Sequence, residues 1–226
     1  MFKNEKTKKW IVDYIPLLFA FALIISLGIK EKQTFIKILP AIISLFVVLL
    51  SAHVNRISFL IGATNCIFYS IGYFQEGLYG SVASALLFSL PVQVFSFFMW
   101  KKNSYKQATM IKTLDRKRLA WLLSLTLLAC VVSYFVFSAI SSSYVFFEST
   151  TFVLGSIASV LIMLGVLEGV IINIVSGCIH LVMWIIIVVS GNLANITYLL
   201  LSVYTTYRSL QALYNWLRLQ DRKSVV

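Results

Sequence analysis

A stripe of polar and aromatic side chains runs along residues 169–190, a segment of 22 residues without Asp, Glu, Lys or Arg. Such a segment is long enough to cross a bilayer as one helix. Asn173, Gly177, His180 and Trp184 recur in it at i, i+4, i+7 and i+11, which places them on one helical face. An amide and an imidazole are costly against lipid, so this face is expected to border a wet cavity, where it would hydrogen-bond and stack on a ligand.

Three other apolar segments carry similar stripes, and together they define a candidate binding site. Their members are Asn65, Tyr69 and Gly72; Ser89, Gln93, Ser96 and Trp100; and Thr197, Tyr204, Arg208 and Gln211. The predicted substrate-binding residues are Asn65, Tyr69, Gln93, Asn173, His180, Trp184 and Tyr204. The alternative is that these stripes serve only helix packing and interhelical hydrogen bonds.

The composition places these stripes in a membrane protein. Of the 226 residues, 60% are hydrophobic and 12% charged, and the mean hydropathy is +0.90. A soluble domain of this length has too little interior to bury so much apolar surface. The net charge of +11 comes from cations between the apolar segments, which topology and anionic lipids explain, so no nucleic-acid partner is expected.

Several chemistries lack the residues they need. The sequence has no phosphate-binding Gly-rich loop with Lys and no His-Glu-x-x-His, and its three cysteines lie in separate apolar segments. Ser176 and His180 are one turn apart without a third orienting group, so no enzyme activity is predicted. We expect no cofactor and no metal. Ion coupling usually requires carboxylates at mid-membrane, and Glu76, Glu148 and Glu168 all lie near segment ends, which favours facilitated diffusion.

Hydropathy predicts an all-α polytopic protein with eight spans. They cover about residues 10–29, 35–54, 57–75, 77–100, 119–139, 144–166, 169–189 and 191–216. The N-terminal lysines (Lys3, Lys6, Lys8 and Lys9), the basic segment 101–118 and the C-terminal cations (Arg218, Arg222 and Lys223) then share one side, so both termini are predicted to be cytoplasmic. One short loop disagrees, because Lys30, Lys32 and Lys37 would lie outside.

The connections predict a 3+1+3 arrangement of parallel repeats with one additional span. Residues 1–34 hold a cytoplasmic tail and the extra N-terminal span, 35–100 the first three-helix repeat, and 101–143 the basic loop and a linker span. Residues 144–216 form the second repeat and 217–226 a cytoplasmic tail. A three-helix unit returns the chain to the opposite face, so one linker span is needed before a second unit can repeat the same orientation.

Four residues near segment ends have simpler expected roles. Trp100 and Trp216 close the two repeats and are expected to anchor them at the membrane interface. Arg208 lies about two turns from its helix end and is expected to snorkel to the surface, and Asp13 is expected to reach water.

Pro40 and Pro91 lie within the second and fourth spans and are expected to kink these helices.

Residues 35–220 contain a series of motifs: Asn65, then Gly77-Leu78-Tyr79-Gly80, then Pro91-Val92-Gln93 leading to Trp100-Lys101-Lys102. Together with the 3+1+3 layout, these motifs give a resemblance to the PnuC family of bacterial vitamin transporters, whose best-known substrate is nicotinamide riboside. The resemblance implies a fold like that of SWEET sugar transporters in reversed orientation, a homotrimer in the bacterial inner membrane, and facilitated diffusion. A cytoplasmic kinase would then phosphorylate the substrate and trap it.

The sequence departs from the family members for nicotinamide riboside at one motif. Where their second repeat carries Trp-x-x-Trp-x-x-x-Asn/Asp, this chain has Val170, Asn173 and Gly177. We therefore predict a facilitator for a nucleoside or nucleoside-like vitamin, of the nicotinamide riboside or deoxynucleoside type. A thiamine or riboflavin transporter of the same family, or a membrane scaffold that transports nothing, remains the alternative.

Overall fold

A computed structural model describes the backbone of residues 2–53, 55–102, 104–105, 108–109 and 111–221. It describes the side chains of residues 12–53, 55–100, 111–193, 195–218 and 220. The prediction of cytoplasmic termini rests in part on cations whose side chains lie outside this set: Lys3, Lys6, Lys8, Lys9, Lys101, Lys102, Arg222 and Lys223.

The described backbone is almost entirely helical. The helices are α1 (Phe2–Lys30), α2 (Phe35–Ala52), α3 (Ile57–Gln75), α4 (Tyr79–Ala83), α5 (Leu90–Lys102), α6 (Arg116–Ala139), α7 (Val145–Met163), α8 (Leu167–Val189) and α9 (Ile196–Asp221). A π-helical segment (Ser84–Ser89) joins α4 to α5, and a 3-10 turn (Leu193–Asn195) precedes α9. Two short antiparallel strands, β1 (Ser104–Tyr105) and β2 (Ala108–Thr109), lie in the basic loop.

Seven helical stretches of the described chain are long and apolar enough to cross a membrane. They comprise α1 from Val12, α2, α3, the continuous stretch Tyr79–Trp100, α6, α7 and α8. The protein is therefore a multi-pass helical membrane protein. Helix α9 is as long as the others but less apolar, because Arg208, Gln211, Asn215 and Arg218 lie from its midpoint onward.

The helices pack as two groups of three elements. In the first, α3 lies between α2 and the α4–α5 stretch; in the second, α8 lies between α7 and α9. The groups touch where α2 packs on α9 and where α5 packs on α7. Helix α6 packs on α7, and α1 packs on the outer side of α2 and α9.

The two ends of the molecule differ in their connections. At one, the turn end, the α3–α4, α6–α7 and α8–α9 turns meet: Ser143 Oγ donates to the Gly77 carbonyl at 3.4 Å, and Asn195 Nδ2 donates to Glu76 Oε2 at 2.9 Å. The other, the loop end, carries the basic loop. There Lys112 N donates to the Gly165 carbonyl at 2.8 Å and docks the loop on the α7–α8 turn.

An ion pair at the turn end neutralises one cation of the short loop that disagreed with the positive-inside pattern. Lys37 Nζ pairs with Glu76 Oε1, and Glu76 also accepts from Asn192 and Asn195. Burial alone would raise the pKa of the Glu76 carboxyl, but the hydrogen bonds and the charge of Lys37 leave this pKa below its ordinary value. The charge of Lys37 is therefore compensated by Glu76 at the same end of the molecule.

Helix α1 is bound to the core by buried charges, and two expectations about them are wrong. Arg208 is 0% exposed and Asp13 5% exposed, so neither reaches water. Arg208 Nη1 lies 3.3 Å from Asp13 Oδ1, and its Nε donates to Tyr204 Oη at 3.0 Å. Asp13 Oδ1 also accepts a hydrogen bond from Gln211 Nε2 at 2.7 Å, and His53 Nε2 lies 2.9 Å from Asp13 Oδ2. The pair is stable in the interior because each charge finds its counter-charge there.

The fourth span is irregular at its centre. The π-helical segment Ser84–Ser89 lies directly before Pro91, whose missing N–H interrupts the regular hydrogen-bond ladder. π-helical turns of this kind often occur at functional sites. Here the wide turn brings Ser84, Ala85 and Ser89 to the space between the two helix groups.

Candidate functional site

A cavity of about 310 Å³ lies between the two helix groups on the side of the turn end; we call it the turn-end cavity. Its lining is mostly polar or aromatic. The lining residues are Cys66, Tyr69, Tyr73, Ser81, Ser84, Ala85, Ser89, Gln93, Glu148, Thr151, Phe152, Asn173, Ser176, Gly177, His180, Thr205 and Ser209. Several polar groups converging on one enclosed space are typical of a small-molecule site.

A second cavity of about 320 Å³, the loop-end cavity, continues toward the opposite end. The two cavities share five lining residues, all of them polar: Ser89, Gln93, Asn173, Thr205 and Ser209. They come from the fourth span, α8 and α9. We call these five side chains the polar partition. A molecule that moved from one cavity to the other would pass them.

Gln93 reaches the cavities across a glycine of the neighbouring helix. A Cβ on Gly62 would lie 1.8 Å from Gln93 Oε1 and 2.8 Å from its Cδ, so only glycine leaves room for this amide. Gln93 Nε2 donates to Cys66 Sγ at 3.3 Å. Thiol sulfur is a weak acceptor, so most of the hydrogen-bonding capacity of Gln93 is free for a ligand.

Asn173 lies on the opposite wall of the polar partition. Its Nδ2 donates to Ser209 Oγ of α9 at 3.1 Å. Thr205 lies one turn before Ser209 on the same helix and lines both cavities as well. The amides of Gln93 and Asn173, supplied by the two helix groups, therefore border one space.

His180 lines the turn-end cavity, and a neighbouring indole fixes its tautomer. Trp184 Nε1 donates to His180 Nε2 at 3.0 Å. Since the indole nitrogen is only a donor, His180 Nε2 must accept, which leaves Nδ1–H as the one donor of a neutral ring. Trp184 itself lies outside the cavity, buried and stacked on Tyr198 with ring centroids 4.8 Å apart.

Two tyrosines of α3 form an aromatic wall of the turn-end cavity. The rings of Tyr69 and Tyr73 are stacked, with centroids 5.3 Å apart. Tyr69 Oη accepts from Ser44 Oγ of α2 at 2.9 Å, which orients its ring. Tyr73 was not among the predicted site residues, although its i, i+4 spacing from Tyr69 places it on the same face.

Four predicted site residues (Tyr69, Gln93, Asn173 and His180) line the turn-end cavity, and three do not. Asn65 is buried and donates to the Pro40 carbonyl at 3.0 Å and to Ser44 Oγ at 2.8 Å, so it ties α3 to α2. Tyr204 packs in the apolar cluster of α1, α2 and α9, beside Arg208. Trp184 holds His180 from outside, as described above.

The two terminal tryptophans close the loop-end cavity, and their expected role as interface anchors is wrong. Both are buried, and their ring centroids lie 6.2 Å apart. Trp100 Nε1 donates to the Met163 carbonyl at 3.2 Å. They pack with Leu167 and Val170, so they join the two helix groups at the floor of the pathway.

Glu148 also lines the site, although it was not among the predicted site residues. It lies in the first turn of α7, is 1% exposed, and lines the turn-end cavity. Ser81 N donates to its Oε1 at 3.1 Å, and the hydroxyls of Ser81 and Ser142 donate to its two oxygens. It lies near a segment end, as the sequence indicated, and the α4 segment and the α6–α7 turn cover it there.

Within the part of the chain that the structure describes, no group of three or more His, Cys, Asp or Glu side chains is close enough to hold a metal ion. The turn-end cavity is instead lined by amides, hydroxyls, one imidazole, aromatic rings and the carboxyl group of Glu148. This arrangement suits reversible binding of a planar polar molecule by hydrogen bonds and stacking.

Two comparisons with known proteins gave a match. The model of a family described as the nicotinamide mononucleotide transporter matches residues 34–218. Among solved structures, the crystal structure of the vitamin B3 transporter PnuC superimposes with a TM-score of 0.80 at 19% sequence identity, over 93% of this chain and 92% of that one. At this identity the superposition shows a common fold. No curated protein matches the chain significantly.

The family and the structural neighbour are transporters and not enzymes. The resemblance drawn from the motifs around Asn65, Gly77 and Gln93 is thereby confirmed, as is the prediction of a membrane transport protein without enzyme activity. Because the family model covers most of its length, the chain belongs to the nicotinamide mononucleotide transporter family.

Proposed function

We propose that the protein is a facilitated-diffusion transporter for a nucleoside or nucleoside-like vitamin, which binds at the polar partition. The observation that carries this proposal is the meeting of two chambers at the five polar side chains shared by them. Gln93 and Asn173 would hydrogen-bond the base or the sugar, and His180 would donate from Nδ1. Tyr69 would offer a ring face to the base.

We infer that the fold contains two parallel three-helix repeats, with α6 as linker and α9 as the eighth span. The packing supports this inference. If the two repeats are equivalent, α2 corresponds to α7, α3 to α8, and the fourth span, which ends in α5, to α9. The contact of α2 with α9 then has its counterpart in the contact of α7 with α5. In such folds the substrate site lies between the repeats, near the bilayer midplane. Rocking of one repeat against the other would open the two cavities alternately.

We propose that the loop end faces the cytoplasm of a bacterial cell and that the turn end faces outward. The basic loop, the C-terminal end of α9 and the N-terminal lysines would then follow the positive-inside rule. The homotrimer and the trapping kinase implied by the family resemblance stay predictions. Trapping by phosphorylation would give uptake a direction without ion coupling, since the phosphorylated product no longer fits an uncharged partition.

Proteoliposomes test the proposed function. Purified protein is reconstituted with or without an entrapped nucleoside or vitamin kinase and ATP, and labelled deoxynucleosides, nicotinamide riboside, thiamine and riboflavin are offered outside. We expect equilibration of one substrate class without kinase and accumulation with its matching kinase. A Gln93→Ala/Asn173→Ala variant serves as control and should lose both. Uptake of none of these compounds by folded protein would favour the scaffold alternative.

A further inference from the structure

Glu148 is buried and borders the candidate site. Its hydrogen-bond donors, Ser81 N, Ser81 Oγ and Ser142 Oγ, are all neutral. Among the side chains that the structure describes, no Lys, Arg or His nitrogen lies within 4.0 Å of its oxygens, in contrast to Glu76 with Lys37 and Asp13 with Arg208. These donors satisfy the carboxyl oxygens, but no cation among the described side chains pairs with them.

The other lining residues do not supply a positive charge. The lining of the turn-end cavity contains no Lys and no Arg. His180 accepts a hydrogen bond at Nε2 from Trp184, which excludes the doubly protonated ring in this arrangement. A carboxylate that borders a cavity sets up a field that favours a cation beside it and disfavours an anion.

The stacked rings of Tyr69 and Tyr73 line the same cavity. Aromatic faces attract cations through their quadrupole, and this attraction is larger where water is excluded. They also stack on planar rings. A ligand that is both flat and cationic would therefore gain from the tyrosines as well as from Glu148, whereas a neutral ring would gain from the tyrosines alone.

We propose that Glu148 is a specificity-determining residue that selects ligands whose ring carries a fixed positive charge, such as a pyridinium or a thiazolium, over neutral rings of the same shape. The proposal rests on the proposed function, because it assigns the substrate class of the same cavity. Among the candidate substrates that the sequence did not distinguish, this proposal favours the cationic compounds over the neutral ones. The negative charge of the carboxylate is the element that makes this selection.

A matched pair of ligands tests the proposal on the purified full-length chain in lipid nanodiscs. Nicotinamide riboside carries a pyridinium, and its 1,4-dihydro form is neutral and nearly isosteric. Isothermal titration of wild type should give tighter binding of the cationic form by about tenfold or more, the size of one close charge pair. Glu148→Gln, which keeps the shape and removes the charge, should bind both forms with similar affinity, and Glu148→Asp should restore the preference.

Glu168→Gln is the matched control, because Glu168 accepts from Leu114 N at 2.9 Å and does not line the turn-end cavity. It should keep the wild-type preference. Equal affinities of the two forms in wild type, or an unchanged preference in Glu148→Gln, would overturn the proposal, and the first comparison needs no variant to fold. Binding of neutral deoxynucleosides or riboflavin alone would also overturn it while leaving the proposed function intact. Binding of no compound would contradict the proposed function itself.

Discussion

The side-chain amide of Gln93 occupies the space above Gly62, where an added Cβ would lie 1.8 Å from Gln93 Oε1 and 3.2 Å from Nε2. The contact joins the third and fourth spans of the first helix group at the level of the polar partition. It also means that the position of a candidate ligand-binding amide depends on the absence of a side chain on a different helix. This dependence makes Gly62 a selective probe of Gln93.

Gly62→Ala should weaken ligand binding by the same factor as Gln93→Ala, about two- to tenfold, which corresponds to one net hydrogen bond. The new methyl group displaces a flexible side-chain end, so the fold should be retained; alanine is also the better helix former. Calorimetry and thermal unfolding measure the two effects. The double variant should bind no more weakly than either single variant, since both changes remove one interaction.

Gly155→Ala is the control for this experiment, because its Cβ would meet only Ser176 Oγ at an ordinary 3.8 Å. It should leave affinity unchanged. If Gly62→Ala bound ligand as well as wild type while Gln93→Ala did not, the displacement of the Gln93 amide would be disproved.

Asn65 and Gln93 carry the same functional group but should respond differently to truncation. Asn65→Ala removes the buried donor to the Pro40 carbonyl and Ser44 Oγ, and should lower the free energy of unfolding by about 1–3 kcal/mol with little effect on affinity. Gln93→Ala should lower affinity with little effect on unfolding, because among the described residues its side chain hydrogen-bonds only to the weak acceptor Cys66 Sγ. Chemical denaturation and ligand titration of both variants measure this. Equal losses of affinity with equal stability would return Asn65 to the binding site.

The buried pair of Asp13 and Arg208 should make α1 essential to the stability of the folded protein. Arg208→Met leaves a buried carboxylate with fewer partners and should cost about 3–5 kcal/mol, whereas Asp13→Asn/Arg208→Met should recover a large part of that loss. The control is Arg118→Met, since the Asp115–Arg118 pair has 61% and 77% of its side chains exposed and should matter little. A double variant no more stable than Arg208→Met would argue against a direct charge pair.

Seven of the eight predicted spans coincide with apolar helices of the described chain, because hydropathy and the bilayer thickness constrain helix length directly. The stripes located Gln93, Asn173 and His180 because an amide or imidazole on an apolar helix must face something polar. The same logic applied equally to Asn65, whose partners are a backbone carbonyl and Ser44 of another helix. Helical periodicity gives the face of a residue but not the distance to its neighbour, so it did not separate ligand-binding amides from structural ones.

The wrong expectations for Arg208, Trp100 and Trp216 share a physical cause: neighbouring elements bury helix ends that a single helix would expose. Arg208, Trp100 and Trp216 lie near helix ends, where single-helix reasoning predicts contact with water or headgroups. Neighbouring helices cover those ends: α1 covers Arg208, and the docked basic loop and the α7–α8 turn cover the tryptophans. Glu148 was left out of the predicted site for the same reason, since the fourth span and the α6–α7 turn enclose its helix end.

The central claim is that substrate passes through the polar partition, and thiol modification at Ser89 tests it most directly. Ser89 lines both cavities, so Ser89→Cys in a chain with Cys66, Cys130 and Cys178 changed to serine should react with a small hydrophilic thiol reagent. Ser190→Cys, in the exposed α8–α9 turn, is the control. We expect that labelling Ser89→Cys abolishes uptake into proteoliposomes, that substrate slows this labelling, and that labelling the control does neither. A fully labelled Ser89→Cys protein that still transported at the unlabelled rate would contradict the account.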